Sequence, residues 1–400
     1  MVKIAVMGYG TIGSGVVEVI DINGGRIAQN AGQEVQVKYI LDLKDFPDDP
    51  HHDLFVKDIE EILNDDEVKV VVETMGGVEP AHTFVKRCLE AGKSVTTSNK
   101  ALVAKHGAEL LAIAKEKNIN FLFEASVGGG IPIIRALTSS LTADEIEEIT
   151  GILNGTTNYI LTKMDVEGSR FEDVLKEAQE LGYAEANPTD DVEGYDACRK
   201  IAILTSLISG KTVDFEEIYT EGITGVKPED MKYAAAMGRT IKLLATSRKT
   251  DAGYSAMVAP FMLDSEHPLY NVHGVFNAVF VHGNVLDDAM FYGRGAGKLP
   301  TASAVVADVV DIVKNLDNNT GITFTADRLA LPDVSSVKNT FFVRIEGDGE
   351  AAKKAFNVAQ TVTVPGISGE VGIVTEPVTE GEFKAAVEGL DGVISSYRLA

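Results

Sequence analysis

The sequence predicts an α/β protein that starts with a doubly wound parallel sheet, continues into an α+β region and ends in a small module. Three observations predict it. An apolar strand runs straight into a glycine-rich turn and then a helical pattern, KIAVMGYGTIGSGVV, at the N-terminus. Apolar runs and helical patterns then alternate, which is how a parallel sheet is wound. Further on, apolar runs are separated by turn residues, as in GYSAMVAPFML and HGVFNAVFVHGN, which points to a largely antiparallel sheet.

The first element is a buried strand followed by Gly8-x-Gly10-x-x-Gly13, with Thr11 and Ile12 between the last two glycines. Gly8 allows the tight turn, Gly10 lets backbone approach a pyrophosphate, and Gly13 lets helix pack on strand. The N–H groups at the helix start face the phosphates. This is the Rossmann-type pattern for a dinucleotide. The second strand, VQVKYILDL, ends at Asp42, placed to bond ribose hydroxyls. The usual interval is about 20 residues; here it is longer, so the first helix is extended. A carboxylate there favours NAD over NADP, and Lys44 softens the preference. KDFPDDPHHD (44–53) is a polar loop.

The strand KVVVETMGG places Thr74 and Gly76 at its carboxyl end, and SVTTSNKALVA places Asn99 and Lys100 at a helix start. Helical patterns cover 80–91 and 101–117. Lys100 at the positive end of a helix is explained best by a ligand facing it. The fifth strand, INFLFEASVGGGIPII, carries Glu124. A buried glutamate needs partners: a cation shared with backbone carbonyls, or backbone N–H groups.

Beyond it, EEITGILNGTTNYIL is a strand entering a polar loop, Asn154 to Asn158, with hydroxyls and amides for a small polar substrate. FEDVLKEAQELG is a helix. DVEGYDACRKIAILTSLISG is a helix apolar nearly all round, hence buried, yet Asp196 and Lys200 share a face in its first turns. A buried ion pair is costly without a role, and a desolvated lysine beside a carboxylate can pass a proton. The helix 300–316 is capped by Thr301 or Ser303.

Composition narrows the partners. The chain has 400 residues, 45% hydrophobic and 24% charged, ordinary for two or three globular domains. The net charge of −24 repels nucleic acid and anionic membranes, so neither is expected, and it points to a soluble cytoplasmic protein. No apolar run reaches the roughly 18 residues of a membrane span. The N-terminus reads as a strand and not as a signal peptide. Cys88 and Cys198 make neither a disulfide framework nor a zinc motif.

The stretch LGYAEANPTDDVEGYDACRKIAIL, with TSNKALVA, NGTTNYIL, GRGAGKLPTASAVVAD and EASVGGGIP in the same order, resembles the homoserine dehydrogenase family, from the N-terminus to about residue 320. The resemblance implies NAD(P)H-dependent, reversible reduction of L-aspartate 4-semialdehyde to L-homoserine, serving threonine, methionine and isoleucine biosynthesis. It implies that Lys200 donates the proton and that Lys100 sits between cofactor and substrate. It implies that Glu185, Asp191 and Asp196 hold the substrate, with Gly182 and Thr156 lining the same place. It implies that Gly293 to Gly297, notably Gly295 and Gly297, close on the cofactor. It implies a monovalent cation, Na+ or K+, on Glu124 with the carbonyls of Val127, Gly129 and Ile131. It also implies a homodimer or homotetramer. Two positions depart from the pattern. Asn187 stands where an aspartate is common, and Leu41 stands where NADP-preferring members carry an arginine.

These readings divide the chain into a dinucleotide-binding domain (1–130 with 300–325), a substrate and dimerisation domain (131–299) and a C-terminal segment (336–400). The last resembles a shortened ACT domain, a βαβ module that could sense threonine as effector or serve structure alone. Three rival readings stand beside this one. One is a dehydrogenase of the same architecture with another substrate. One is a phosphorylating aldehyde dehydrogenase, which needs a cysteine nucleophile; Cys198 points about 200° away from Lys200 on the helix. The third is a cofactor-sensing regulator without turnover.

Overall fold

β1 (Val2–Met7) is buried at five of its six positions, as expected of a strand covered on both faces. It pairs in parallel with β2 (Val35–Leu41) on one side and β4 (Val68–Glu73) on the other. With β3 (Phe55–Val56), β5 (Ser94–Thr97) and β6 (Phe121–Leu122) they form one parallel sheet, ordered β3-β2-β1-β4-β5-β6. The order reverses between β1 and β4, where such sheets open a crevice at the strand carboxyl ends. α1 (Thr11–Ala31) is 21 residues long, which accounts for the long interval to Asp42. α2 (Ile59–Leu63), α3 (Ala81–Glu90) and α4 (Lys100–Glu116) cross between strands. Ile4, Val6, Val70 and Val72 form the core with Val16 and Val17 of α1 and Val305 and Val309 of the helix Lys298–Lys314. Each fully buried aliphatic side chain contributes roughly 1.5–3 kcal/mol.

This computed structural model describes residues 1–400 and shows two compact units. The first is Met1–Glu145 with Ala202–Phe215 and Gly293–Leu329. It holds the parallel sheet, the short α5 (Ile133–Arg135) and a minor pair of strands, β8 (Lys211–Thr212) and β14 (Thr325–Arg328). The helix Lys298–Lys314, α11 in chain order, is capped at Gly297. Thr301 and Ser303 lie inside it, so the expected cap is corrected: Pro300 is accommodated in the first turn, where no intrahelical N–H is needed.

The second unit is Ile146–Ile201 with Glu216–Tyr292 and Ala330–Ala400. β7 (Ile146–Ile152) leads into α6 (Gly155–Glu167), α7 (Phe171–Glu180), the short α8 (Thr189–Val192) and α9 (Tyr195–Ser209). The polar stretch 154–158 is therefore not a loop. Asn154 caps α6 by accepting the Thr157 N–H at 2.9 Å, and Gly155 opens the helix. α10 (Pro228–Ala236) precedes the long hairpin β10 (Arg239–Thr250) and β11 (Gly253–Asp264). β12 (Phe276–Gly283) and β13 (Asp287–Arg294) follow. β9 (Tyr219–Thr220) pairs with β11.

The C-terminal residues run β15 (Lys338–Glu346), α12 (Glu350–Ala355), β16 (Val358–Val362), β17 (Glu370–Thr375), α13 (Glu380–Glu388) and β19 (Val393–Leu399), with β18 (Val378–Thr379) beside β15. They share a mixed sheet with the preceding strands, ordered β13-β12-β7-β10-β11-β19-β15-β17-β16. The join is β11 to β19, parallel at Phe261↔Arg398 and Met262↔Leu399. No helix is long and apolar enough to cross a membrane.

Candidate active site

In the first unit, the glycines shape a cradle at the end of β1. Gly8 has φ +90, in the left-handed region where glycine is favoured. A Cβ on Gly13 would lie 1.9 Å from the Gly8 carbonyl oxygen, whereas one on Gly10 would meet nothing within 4 Å. Position 13 thus needs glycine for packing, and position 10 leaves room for a ligand. α1 starts at Thr11 with no side-chain cap, so Thr11, Ile12 and Gly13 present their N–H groups at the cradle. Asp42 is not merely solvated: its Oδ2 accepts the Tyr9 N–H at 2.7 Å and Oδ1 the Lys44 N–H at 2.9 Å. Thr74 donates its hydroxyl to the Gly8 carbonyl at 2.9 Å. These two residues brace the loop.

Gly76 has φ +77 in the turn after β4. Behind it lies Glu73, which the sequence places at the strand end without assigning it a role. Burial pushes its carboxyl up, against hydrogen bonds from Thr97 and the backbone of Met75. Asn99 caps α4 through the Leu102 N–H and donates to the Gly77 carbonyl, so Lys100, partly buried, opens the helix beside that turn. Gly129 and Gly130 meet the 293–297 loop backbone to backbone. Gly130 N–H donates to the Arg294 carbonyl at 3.0 Å, and a Cβ on Gly129 would sit 2.2 Å from the Gly295 oxygen. Gly297, at φ +120, turns the chain into α11.

Glu124 lies just past β6, in a 3₁₀ turn (Glu124–Ser126) and not in the strand. Its two oxygens accept the Ile134 and Arg135 N–H groups at 2.9 and 2.7 Å, with the Arg135 guanidinium 4.0 Å away. The Ile131 carbonyl accepts the Ile133 N–H. Of the two readings for a buried glutamate, backbone N–H groups are what it meets, and its charge already faces a cation. One lone-pair site on each carboxylate oxygen is thereby engaged.

In the second unit, α9 brings Lys200 and Asp196 together as their spacing predicts. Lys200 is 9% and Asp196 4% exposed, with Nζ 2.7 Å from Asp196 Oδ2. Nζ also donates to the Leu153 carbonyl at 2.7 Å. An ammonium has three donors, so one remains for a substrate oxygen. Asn154 was not singled out beyond its polar stretch, yet it ties the group together. Its Nδ2 donates to Asp191 Oδ1 at 2.7 Å and Asp196 Oδ2 at 2.9 Å. Thr156 donates to the Tyr183 carbonyl at 2.6 Å, and Gly182 makes the left-handed turn after α7. Glu185 is exposed on that turn and makes none of the cluster's hydrogen bonds. Cys198 is buried, with its thiol pushed up by burial, which does not suit a nucleophile.

Comparison with known proteins accords with this geometry. Residues 8–124 match the family described as homoserine dehydrogenase, NAD binding domain, and residues 132–310 match homoserine dehydrogenase. The chain is 38% identical to the homoserine dehydrogenase of Bacillus subtilis, covering 100% of this chain and 98% of that one. It is 40% identical to that of Pseudomonas aeruginosa, covering 98% and 90%. A crystal structure of a homoserine dehydrogenase from Thiobacillus denitrificans superposes with a TM-score of 0.89 at 36% identity, covering 100% and 98%. A hyperthermophilic archaeal homoserine dehydrogenase in complex with NADPH gives 0.67 at 32% identity, covering 78% and 97%. The chain therefore belongs to the homoserine dehydrogenase family, and its function is that of a homoserine dehydrogenase, an oxidoreductase with a nicotinamide-dinucleotide domain.

Proposed function

We propose that Lys200 is the proton donor in the reduction of aspartate 4-semialdehyde to homoserine. The observation that carries this is the buried ammonium of Lys200, held by Asp196 and the Leu153 carbonyl with one donor left over. When bound, NAD(P)H supplies the hydride to the aldehyde carbon. As the aldehyde oxygen gains charge, Lys200 donates a hydrogen bond and then the proton to it, leaving an alcohol. Asp196 fixes the lysine's rotamer through the 2.7 Å contact. Asp191 and Glu185 bind the substrate ammonium, Thr156 and Gly182 line the same place, and Lys100 binds its carboxylate or faces the cofactor. Thr11, Ile12 and Gly13 hold the pyrophosphate through N–H groups, with Gly8, Gly10, Thr74, Gly76, Gly295 and Gly297 shaping the cradle. Asp42 faces the adenosine ribose and favours NADH over NADPH.

The test follows NADH and NADPH oxidation with aspartate semialdehyde for wild type and Lys200→Ala. Loss of general-acid catalysis costs about 10²–10⁴ in kcat, with cofactor affinity unchanged. Turnover within threefold of wild type in the variant would remove Lys200 from the role.

Apart from the two-residue β18, the C-terminal module runs β15-α12-β16-β17-α13-β19, a βαββαβ order, which supports an ACT-like reading. A cavity of about 470 Å³ beside it is lined by Tyr219, Glu221, Ser335, Lys384 and Arg398 among others. Charges of both signs there suit a zwitterionic effector such as threonine. Initial rates with and without threonine, and light scattering for a homodimer or homotetramer, test these readings.

A further inference from the structure

Away from the cradle's polar groups, α3 and α4 bring together three side chains that the reaction does not use. His82 lies on α3; His106 and Glu109 lie three apart on α4, on one face. Their candidate ligand atoms all lie within 4.8 Å of one another. His82 Nε2 is 3.0 Å and His106 Nδ1 3.6 Å from Glu109 Oε2. Two ligands of one tetrahedral ion, each at about 2.0–2.1 Å, stand roughly 3.3 Å apart. The observed separations bracket that value.

The groups around these three orient them as partners of a metal site do. Glu79 Oε1 sits 3.2 Å from His82 Nδ1. Without an ion, Nε2 donates to Glu109 Oε2; a carboxylate at Nδ1 holds the remaining proton there once an ion displaces the one on Nε2, which leaves the Nε2 lone pair for the ion. Lys86 bonds Glu109 Oε1 at 2.7 Å, which fixes the carboxylate and leaves Oε2 pointing at the two rings. The ammonium of Lys86 and that of Lys105, next to His106, work against an ion, and Glu79 offsets part of that. The rings are stacked, 3.8 Å apart and 14° from parallel. In-plane lone pairs of parallel rings do not converge, so binding turns one ring about χ2, a soft torsion.

We propose that His82, His106 and Glu109 bind a divalent transition-metal ion of the zinc class, bridging α3 to α4. Two imidazoles and one carboxylate select such ions over magnesium or calcium, which prefer all-oxygen sites. The cluster is partly exposed, so water completes the fourth position. The ion would cross-link the helix that opens with Lys100 to its neighbour.

The experiment is calorimetric titration of chelator-treated full-length protein with ZnCl₂, with MgCl₂ and CaCl₂ alongside. Expected are one zinc ion per chain, no magnesium or calcium binding, and intense tetrahedral visible bands when Co²⁺ is used instead. His82→Ala/His106→Ala abolishes the site, and Glu79→Gln weakens it about tenfold or more. If the double variant fails to fold by circular dichroism, His106→Gln, which keeps the side-chain volume, is titrated in its place. Stoichiometric zinc binding that persists in the folded variant, or no saturable binding to wild type, overturns the proposal.

Discussion

Asn154→Asp is isosteric and retains a good helix cap, but it replaces the amide donor that bridges Asp191 and Asp196 with an oxygen. If ionised, the new carboxylate faces two others across contacts that now measure 2.7 and 2.9 Å. With charge centres about 4 Å apart and an effective dielectric near 20, each repulsion costs roughly 4 kcal/mol. Lys200, paired with Asp196, offsets about one of them. The remaining ~4 kcal/mol corresponds to about three pK units, which moves an aspartate from about 3.9 in the unfolded chain to about 7 in the fold. A raised folded pKa means the native state holds the extra proton between about pH 4 and 7. The variant is therefore near wild type in acid, where the protonated carboxyl can donate one hydrogen bond. It loses about 1.4 kcal/mol per pH unit between about pH 4 and 7, roughly 4 kcal/mol in all, and loses no more above about 7. Urea unfolding of both proteins at about pH 5 and about pH 8.5 measures this, with kcat/KM at the same values following the same curve. An unfolding free energy that tracks wild type within about 0.5 kcal/mol at both pH values would refute the bridging role of Asn154.

Gly13→Ala puts a methyl 1.9 Å from the Gly8 oxygen, so the cradle must shift. NADH affinity by fluorescence titration should fall tenfold or more, about 1.4 kcal/mol, with helix content preserved. Lys242 is 1% exposed, and burial lowers its pKa to about 8. Between about 8 and the unfolded value near 10.4, the unfolded chain binds more protons, so stability rises with pH there. Lys242→Met should lack that part of the slope, on the order of 3 kcal/mol, in paired urea titrations; equal slopes would count against it. Arg398 bonds Glu380 through two nitrogens, at 2.6 and 2.8 Å, and Glu221 at 2.9 Å. Arg398→Met leaves the buried Glu380 and the partly exposed Glu221 without their cation and should cost about 3–5 kcal/mol, read as a lower urea midpoint at unchanged slope.

Local signals carried much of this fold. The glycine spacing with its flanking periodicities specifies β1, the turn and α1, because each is a short-range pattern. Asp196 and Lys200 were legible for the same reason: i,i+4 spacing on an apolar helix forces them together. Asn154 was harder. Asn-Gly-Thr-Thr before an apolar-periodic run is a helix-start signal, but its polarity reads equally as a loop. Glu124 shows a different limit. That an acid in an apolar strand needs partners follows from burial, whereas the partners, ten and eleven residues on, depend on how α5 returns to β6. The pairing of β11 with β19 was not legible at all. Periodicity marks a strand and its buried face but not its distant neighbour, and Phe261 and Arg398 are far apart in the chain.

α1 begins without a side chain to satisfy its first N–H groups. That leaves the helix start a debt which a phosphate can settle, and it couples cofactor supply to folding. A ligand present at a hundred times its dissociation constant stabilises the native state by about 2.7 kcal/mol. The gain should be felt first at Thr11 to Gly13, whose amides would exchange with solvent more slowly when the cofactor is abundant. Its concentration in the cell would then set both how fast the enzyme turns over and how long each copy survives proteolysis.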